Sequence, residues 1–154
     1  MPASRDEVRE RLVALLGAWA DDPDSDVVAV EEVDGRVAVR MRQTVRDFST
    51  IWCDPGERTI RFEAYVLPAP PKSAAEIHRQ ALVRNAGLRD AAFALDDEGA
   101  VVIVARIPTT ELSDDRLQLV VAEVWEGVER AFPSMVRLAF ARMLSEGRIA
   151  GCEG

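Results

Sequence analysis

The chain has 154 residues, a length typical of a single domain that buries an ordinary hydrophobic core without disulfides or structural metals. Its hydrophobic fraction of 48% beside 30% charged residues is that of a globular protein, and no apolar run approaches the ~20 residues that a membrane span requires. The net charge of −8 argues against nucleic acid as a partner, because binding to phosphates depends on clustered cations.

The N-terminal sequence and the cysteines indicate where the protein works. MPASRDEVRERL has no apolar segment of the kind found in signal peptides, so a cytoplasmic location is expected. Cys53 lies in a strand-like segment and Cys152 close to the C-terminal end. Because no CxxC motif and no suitably spaced histidine accompanies them, the sequence predicts two free thiols, no metal site and no cofactor.

The first predicted element is a helix from about Pro2 to Ala20. Ser4 and Glu7 have the spacing of a capping box at its start. The apolar residues that follow recur at helical intervals and form one stripe, namely Val8, Leu12, Leu15, Leu16 and Trp19. The acidic run DDPDSD ends the helix, and it predicts a solvated loop because it lacks the ligand spacing of an EF-hand.

Two hairpins are predicted next. VVAVEEV and RVAVRMR flank Asp34-Gly35, a strong hairpin signal that would turn Val37, Val39 and Met41 toward the core. FSTIWC and TIRFEAYVL flank Asp54-Pro55-Gly56, where proline would start the turn and Gly56 would supply a positive φ.

A joint rich in proline leads into a second predicted helix. Pro68, Pro70 and Pro71 end the strand, since proline donates no ladder hydrogen bond and restricts the residue before it. Ser73 and Glu76 again have capping-box spacing. The predicted helix has apolar or packing positions up to a C-terminal cap at Gly87, and these are Ala74, Ile77, Ala81, Leu82 and Asn85.

A third hairpin and a long helix complete the pattern. AAFAL and AVVIVARI flank Asp96-Asp97-Glu98-Gly99, and the second of these strands is apolar on both faces, which favours a central place. Ser113 starts the last helix, whose predicted buried side is Leu117, Val120, Val121, Val124, Val128 and Phe132. Pro133 either kinks this helix or begins a separate one, and the apolar pattern, which includes Met143 and Leu144, continues to Gly147.

The element order is therefore α-β-β-β(-β)-α-β-β-α with connections of hairpin length. This order predicts an α+β fold, with an antiparallel sheet of five to six strands and the helices packed on one side. One domain is expected over 1–154, with its core at about 4–146 and a C-terminal tail at 147–154.

Several segments between Thr50 and about Phe140 carry a family resemblance. They are TIRFEAYVLPAP, LVRN, FALDDEGAVVIVARIP, LSDDRLQLVV and RLAF. In these segments the chain resembles the YbjN-like family of bacterial "putative sensory transduction regulators", in its actinobacterial form. The resemblance implies a fold like that of type III secretion chaperones, frequent pairing into dimers, and no particular reaction.

Two surfaces are candidates for binding. Alternation places Arg36, Arg40 and Arg42 on one side of their strand, and Arg58 and Arg61 follow on the next hairpin. These arginines either pair with acids such as Glu31 and Glu63 on a solvated face, or bind an acidic or phosphorylated partner.

The second surface is the flank of the last helix. Trp125 widens its apolar stripe beyond a narrow seam, so the residues there form either core or a dimer or partner face. The residues of this candidate face are Val121, Trp125, Val128 and Phe132.

The functional expectation rests on the absence of catalytic motifs together with the family resemblance. The sequence contains no G-x-S-x-G, HExxH, P-loop or GxGxxG, and His78, the only histidine, has no evident catalytic partner. A non-enzymatic chaperone-like or regulatory protein is expected, homodimeric, which binds a segment of another protein. The alternative is a small-molecule or anion-binding module that uses the arginine face and a pocket between the second and third helices.

Overall fold

The computed structural model describes residues 3–153, and the side chains of residues 3–140. It consists of three α-helices, a short 3₁₀ turn at Thr109–Glu111 and one six-stranded antiparallel sheet. In chain order the helices and strands are α1 (Arg5–Ala20), β1 (Val27–Val33), β2 (Arg36–Arg42), β3 (Phe48–Pro55), β4 (Thr59–Leu67), α2 (Ala74–Asn85), β5 (Ala91–Leu95), β6 (Val101–Pro108) and α3 (Asp114–Glu153). The predicted α+β class and element order are confirmed.

The strands lie in the order β1-β2-β3-β4-β6-β5. The first four strands are joined by consecutive hairpins. Strand β6 pairs with β4, so β5 lies at one edge of the sheet and β1 at the other. The apolar strand β6 therefore has a neighbour on each side, as its composition predicts. Helices α1 and α3 pack on one face of the sheet, and α2 lies against β5 and α3.

The core lies between that face and the helices. Every second residue of the strands points into it, including Val37, Val39 and Met41 as predicted. Phe62, at the centre of β4, is fully buried, and α1 contributes Val8, Leu12 and Leu16. From α3 come the predicted Leu117, Val120, Val121, Val124 and Val128.

The turns follow the predictions at two of three hairpins. Asp34 and Gly35 have φ values of 51° and 80°, and Gly99 has 82°, so these turns use the left-handed conformation that glycine readily adopts. The prediction for Gly56 is wrong. Pro55 is still paired in β3, opposite Ile60, and the Gly56 N–H donates to the Thr59 carbonyl at 2.8 Å. Because the strand runs further than expected, the reversal falls after Gly56, which needs no positive φ.

The two predicted capping boxes have different outcomes. Ser4 Oγ accepts from the Glu7 N–H at 3.2 Å, and the Glu7 carboxylate accepts from the Ser4 N–H at 3.0 Å, which confirms the first. Ser73 instead has φ 58°, in the left-handed region, and its side chain makes no cap hydrogen bond. An N-cap side chain reaches the first turn from an extended backbone, so the second prediction is wrong.

Helix α2 is also less buried than its pattern predicts. Ile77 is its one fully buried residue, whereas Leu82 is 71% exposed and Val83 is 61% exposed. Its C-terminal cap is Ala86 in right-handed conformation, and Gly87 is not left-handed, contrary to the prediction.

The side chain of Asn85 pairs with the edge of the sheet. Its Oδ1 accepts from the Phe93 N–H at 2.6 Å and its Nδ2 donates to the Phe93 carbonyl at 3.2 Å. Nearby, the Glu123 carboxylate accepts from the N–H groups of Arg89, Asp90 and Ala91 at 3.0, 2.8 and 2.6 Å. Side chains from α2 and α3 therefore hold the start of β5 in place by hydrogen bonds to the backbone of that strand.

Helix α3 continues through Pro133 without a break, so the proline does not start a separate helix. It also continues past Gly147. The side chains of Met143 and Leu144 lie outside the described residues, and the division into a core of about 4–146 and a tail stays a prediction.

Candidate interaction surface on the open face of the sheet

The face of the sheet opposite the helices is covered by no other element in the described part of the chain. We call it the open face. It carries the alternate strand residues that point away from the core, among them Ala29, Glu31, Arg36, Ala38, Arg40, Phe48, Thr50, Trp52, Arg61, Glu63, Tyr65, Val104 and Arg106. Phe48 is 41% exposed and Tyr65 is 48% exposed. The open face therefore combines exposed aromatic rings with arginines.

Two of the predicted arginines stack on aromatic rings. The guanidinium carbon of Arg36 lies 4.4 Å from the centre of the Trp52 ring, and that of Arg40 lies 4.1 Å from the centre of the Phe48 ring. Both distances are within the range of a cation–π contact. Sequence periodicity predicted the side of β2 on which these arginines lie, but not the rings, which come from the neighbouring strand β3.

The remaining predicted arginines are divided between two places. Arg42 is exposed at the end of β2, beside Arg40 on the same face. Arg61 lies two strands away, where its side chain pairs with Glu63 at 3.1 Å along the same strand rather than across strands. Arg58 is exposed on the turn between β3 and β4. The five arginines therefore do not form a single cluster.

The pairing of β4 with β6 places Arg106 directly opposite Arg61. Sequence reasoning did not include Arg106, although it occupies an outward position in the alternation of β6. Together with Arg5 and Asp54 these residues line a broad cavity of about 750 Å³. Arg5 pairs with Asp54 there at 3.4 Å.

The predicted face on α3 is largely part of the core. Val121 is 2% exposed and Val128 is fully buried, so neither side chain offers surface to a partner. Trp125 and Phe132 are partly buried against the core. The Trp125 Nε1–H donates to the Arg42 carbonyl at 2.7 Å, which joins α3 to the end of β2. The sequence left open whether these residues form part of the core or a dimer or partner face, and this geometry favours the core.

A polar network supports the loop between β2 and β3, which leads to Phe48. The Glu129 carboxylate accepts from the Gln43 side-chain amide and from the Thr44 N–H, each at 2.6 Å, and from the Thr44 hydroxyl. Burial alone would raise the pKa of Glu129, but the hydrogen bonds from Thr44, Gln43 and the Val45 N–H hold that pKa below its ordinary value. The ionised carboxylate is therefore the form that fits the loop.

Replacing Glu129 by Gln is expected to destabilise the protein by about 1–3 kcal/mol at neutral pH, because an amide cannot accept all of these hydrogen bonds. A group whose pKa is lowered by folding stabilises the fold above its unfolded pKa, about 4.3 for glutamate, and this contribution is lost as the pH falls through the folded value. Urea unfolding at neutral and acidic pH should thus show the difference from wild type shrinking in acid.

The matched control is Glu126→Gln, since Glu126 pairs with Arg130 on the exposed side of the same helix at 2.6 Å. An exposed pair of this kind is worth about 0–1 kcal/mol. Equal losses in the two variants, or a difference for Glu129→Gln that is independent of pH, would contradict the role of the carboxylate.

The remaining candidate groups for chemistry lie apart. His78 is partly exposed on α2, and within the described residues its side chain makes no hydrogen bond or ion pair. Cys53 is fully buried in β3, and burial raises the pKa of its thiol, which keeps it protonated. Cys152 lies outside the described side chains. The space expected between the second and third helices is a small cavity of about 260 Å³, lined by Val83 and Arg84 of α2 and by Gly127 and Arg130 of α3 among others.

Two further features are absent from the described part of the chain. No three or more His, Cys, Asp or Glu side chains in that part of the chain are arranged to hold a metal ion. In the same residues, none of the helices is both long and apolar enough to cross a membrane.

The fold resembles that of type III secretion chaperones. The crystal structure of the Yersinia pestis type III secretion chaperone SycH, in complex with a stable fragment of YscM2, matches with a TM-score of 0.51 at 15% identity, over 77% of this chain and 97% of that one. The crystal structure of YbjN from E. coli matches with a TM-score of 0.53 at 15% identity, over 86% and 90% of the two chains. At these identities the likeness shows the fold.

The chain belongs to the YbjN family. The family profile, described as "Putative bacterial sensory transduction regulator", matches residues 12–137. An uncharacterized protein of Mycobacterium tuberculosis (strain ATCC 25618 / H37Rv) is 29% identical over 85 residues, which make up 55% of this chain and 46% of the relative. The match thus spans less than half of that mycobacterial protein. The family resemblance expected from the sequence is confirmed.

Proposed function

We propose that this chain is a non-enzymatic, chaperone-like or regulatory domain of the cytoplasm that binds a segment of another protein through the open face of its sheet. The observation that carries the proposal is the open face itself. It presents the rings of Phe48 and Trp52 and the cations of Arg36 and Arg40 with no covering element in the described residues. Aromatic residues and arginine are the types enriched where proteins bind one another.

The chemistry of the remaining groups is consistent with binding rather than turnover. Among the described side chains His78 has no hydrogen-bonded partner of the kind that a general base requires, and Cys53 is buried and protonated. The solved SycH structure holds a fragment of a second protein, so this architecture is compatible with a protein ligand.

The test is affinity purification of the tagged protein from its native cell, followed by direct titration with each purified candidate partner. We expect one partner to bind the purified protein and to slow amide hydrogen exchange in β2 and β3. Repeated failure to recover any directly binding protein, beside a measurable enzymatic turnover, would refute the proposal. Protection confined to α1 and α3 would place the binding surface on the helical side instead.

A homodimer is a separate prediction. The prediction was based on the apolar flank of α3. That flank offers less surface to a second copy than expected, because Val121 and Val128 are buried within one chain. Light scattering is expected to give twice the 17.0 kDa chain mass. A mass near that of a single chain at micromolar concentration would contradict it.

A further inference from the structure

A depression on the open face lies between the two stacks of arginine on aromatic ring. We call it the slot. Its walls are Phe48 and Trp52, and its floor is formed by small side chains. The floor residues are Ala29, Ala38 and Thr50, and Arg40 and Glu31 also line the slot. Its volume is about 460 Å³, within the range of about 300–1,000 Å³ that ligand pockets occupy.

The strand register explains why the slot exists. Ala38 of β2 lies opposite Trp52 of β3, and Arg40 lies opposite both Thr50 and Ala29. Small residues on three adjacent strands thus lie at two successive levels of the open face, Ala29 and Thr50 beside Arg40 and Ala38 beside Trp52, and the two large rings lie four residues apart on β3. The space between the rings has apolar walls and is open to solvent on one side, so it suits one apolar side chain of a partner.

The cations beside the slot are available to a ligand. Within the described residues neither Arg36 nor Arg40 forms an ion pair with a carboxylate. A guanidinium that stacks on a ring keeps its N–H donors in its own plane, directed past the ring edge, where a carboxylate can accept two of them. Glu31 also lines the slot, but Arg36, Arg40 and Arg42 on the adjacent strand outnumber it, so the region is locally positive and the complementary ligand is acidic.

The spacing of the arginines fixes the spacing of the acids. Arg36 and Arg40 are four residues apart on β2, or roughly 13 Å at the rise of a strand. An extended peptide that lies along β2 places its own side chains at the same intervals, with every second one toward the sheet. An apolar residue over Ala38 and Thr50 would therefore have an acidic residue two positions away on each side.

We propose that the slot binds an extended segment of the partner protein with the pattern acidic-x-apolar-x-acidic, in which the apolar side chain enters the slot and the two carboxylates pair with Arg36 and Arg40. The inference rests on the proposed function, since it specifies which segment the domain recognises. The ligand of the slot is a peptide segment of another protein and not a second copy of this chain.

The experiment is a calorimetric titration of the full chain with two synthetic peptides of equal composition, one containing Asp-Gly-Leu-Gly-Asp and one containing Asp-Asp-Gly-Leu-Gly. We expect the first to bind more tightly. Arg36→Gln and Arg40→Gln should each weaken it about tenfold, the effect of losing one charge-assisted pair worth about 1.4 kcal/mol. Ala38→Leu, which fills the slot without changing charge, should abolish binding.

The matched control is Arg58→Gln, which removes the same charge from an exposed position on the turn between β3 and β4, outside the slot. It should leave binding of the peptide unchanged. Equal affinity for the two peptides, no binding at millimolar peptide, or equal losses in Arg58→Gln and Arg40→Gln would overturn the inference. The two Arg→Gln variants keep the test valid if Ala38→Leu fails to fold.

Failure of the slot and failure of the proposed function give different results. If the slot variants bind the native partner with wild-type affinity, the slot inference is wrong while the proposed function stands. If wild type forms a dimer that Ala38→Leu dissociates, the open face is an interface between two copies and the peptide inference is overturned.

Discussion

Replacing Ile77 by alanine is expected to lower the free energy of unfolding by about 2–5 kcal/mol, the usual cost of truncating a large buried aliphatic side chain. Ile77 is the one fully buried residue of α2, and the side-chain cap expected at Ser73 is absent. The packing of α2 therefore depends on Ile77 and on the contacts that the helix makes with β5 and α3. Urea denaturation followed by circular dichroism measures the change.

Leu82→Ala is the matched control on the same helix. Sequence periodicity placed Leu82 on the buried stripe with Ile77, but its side chain is 71% exposed, so the substitution should stay within about 0.5 kcal/mol of wild type. A loss at Leu82 comparable with that at Ile77 would show that α2 packs in another orientation.

Replacing Arg46 by alanine is the second change expected to be severe, with a loss of about 2–3 kcal/mol. The strand β4 has an irregularity between Tyr65 and Leu67, where one extra residue interrupts its pairing with β6. Arg46 donates to the carbonyls of Tyr65 and Val66 at this point, at 2.5 and 2.8 Å. It also donates to Ser49 Oγ at 2.8 and 3.1 Å.

Arg46→Lys should recover less than half of this loss. An ammonium group retains the charge, but it lacks the planar fork that reaches two carbonyls and a hydroxyl together, and it stacks poorly on the Phe132 ring, whose centre lies 4.9 Å from the Arg46 guanidinium carbon. The control is Arg42→Ala, an exposed arginine at the end of β2. If unfolding by urea showed equal losses for Arg46→Ala and Arg42→Ala, the carbonyl contacts would contribute little to stability.

Local patterns predicted most of the fold because each element is specified by neighbours in the sequence. The alternation of β2 and β4, the Asp34-Gly35 turn and the Ser4 capping box all depend on residues within a few positions of one another. The second Ser-x-x-Glu pattern failed although its spacing is the same. Ser73 follows a run of prolines and adopts φ 58°, a conformation that no spacing rule specifies.

Only part of the candidate site could be predicted from the sequence, for a related reason. Alternation within β2 correctly placed Arg36 and Arg40 on one side, because that is a property of a single strand. Which rings they contact depends on the register between β2 and β3, and the position of Arg106 beside Arg61 depends on β6 inserting next to β4. These relations between distant segments are not encoded in any one window of the chain, so the slot could not be inferred from periodicity.

The two edges of the sheet are unequal, and this has a consequence for how the protein can associate. The side-chain amide of Asn85 occupies the outer N–H and C=O of Phe93, so a further strand cannot pair with β5 at that point. In the described part of the chain β1 has only β2 as a hydrogen-bonded neighbour. Growth of the sheet by strand addition, including its uncontrolled form in aggregation, is therefore directed to β1. That strand carries Glu31, Glu32 and a bulge near Val28, features that oppose such pairing.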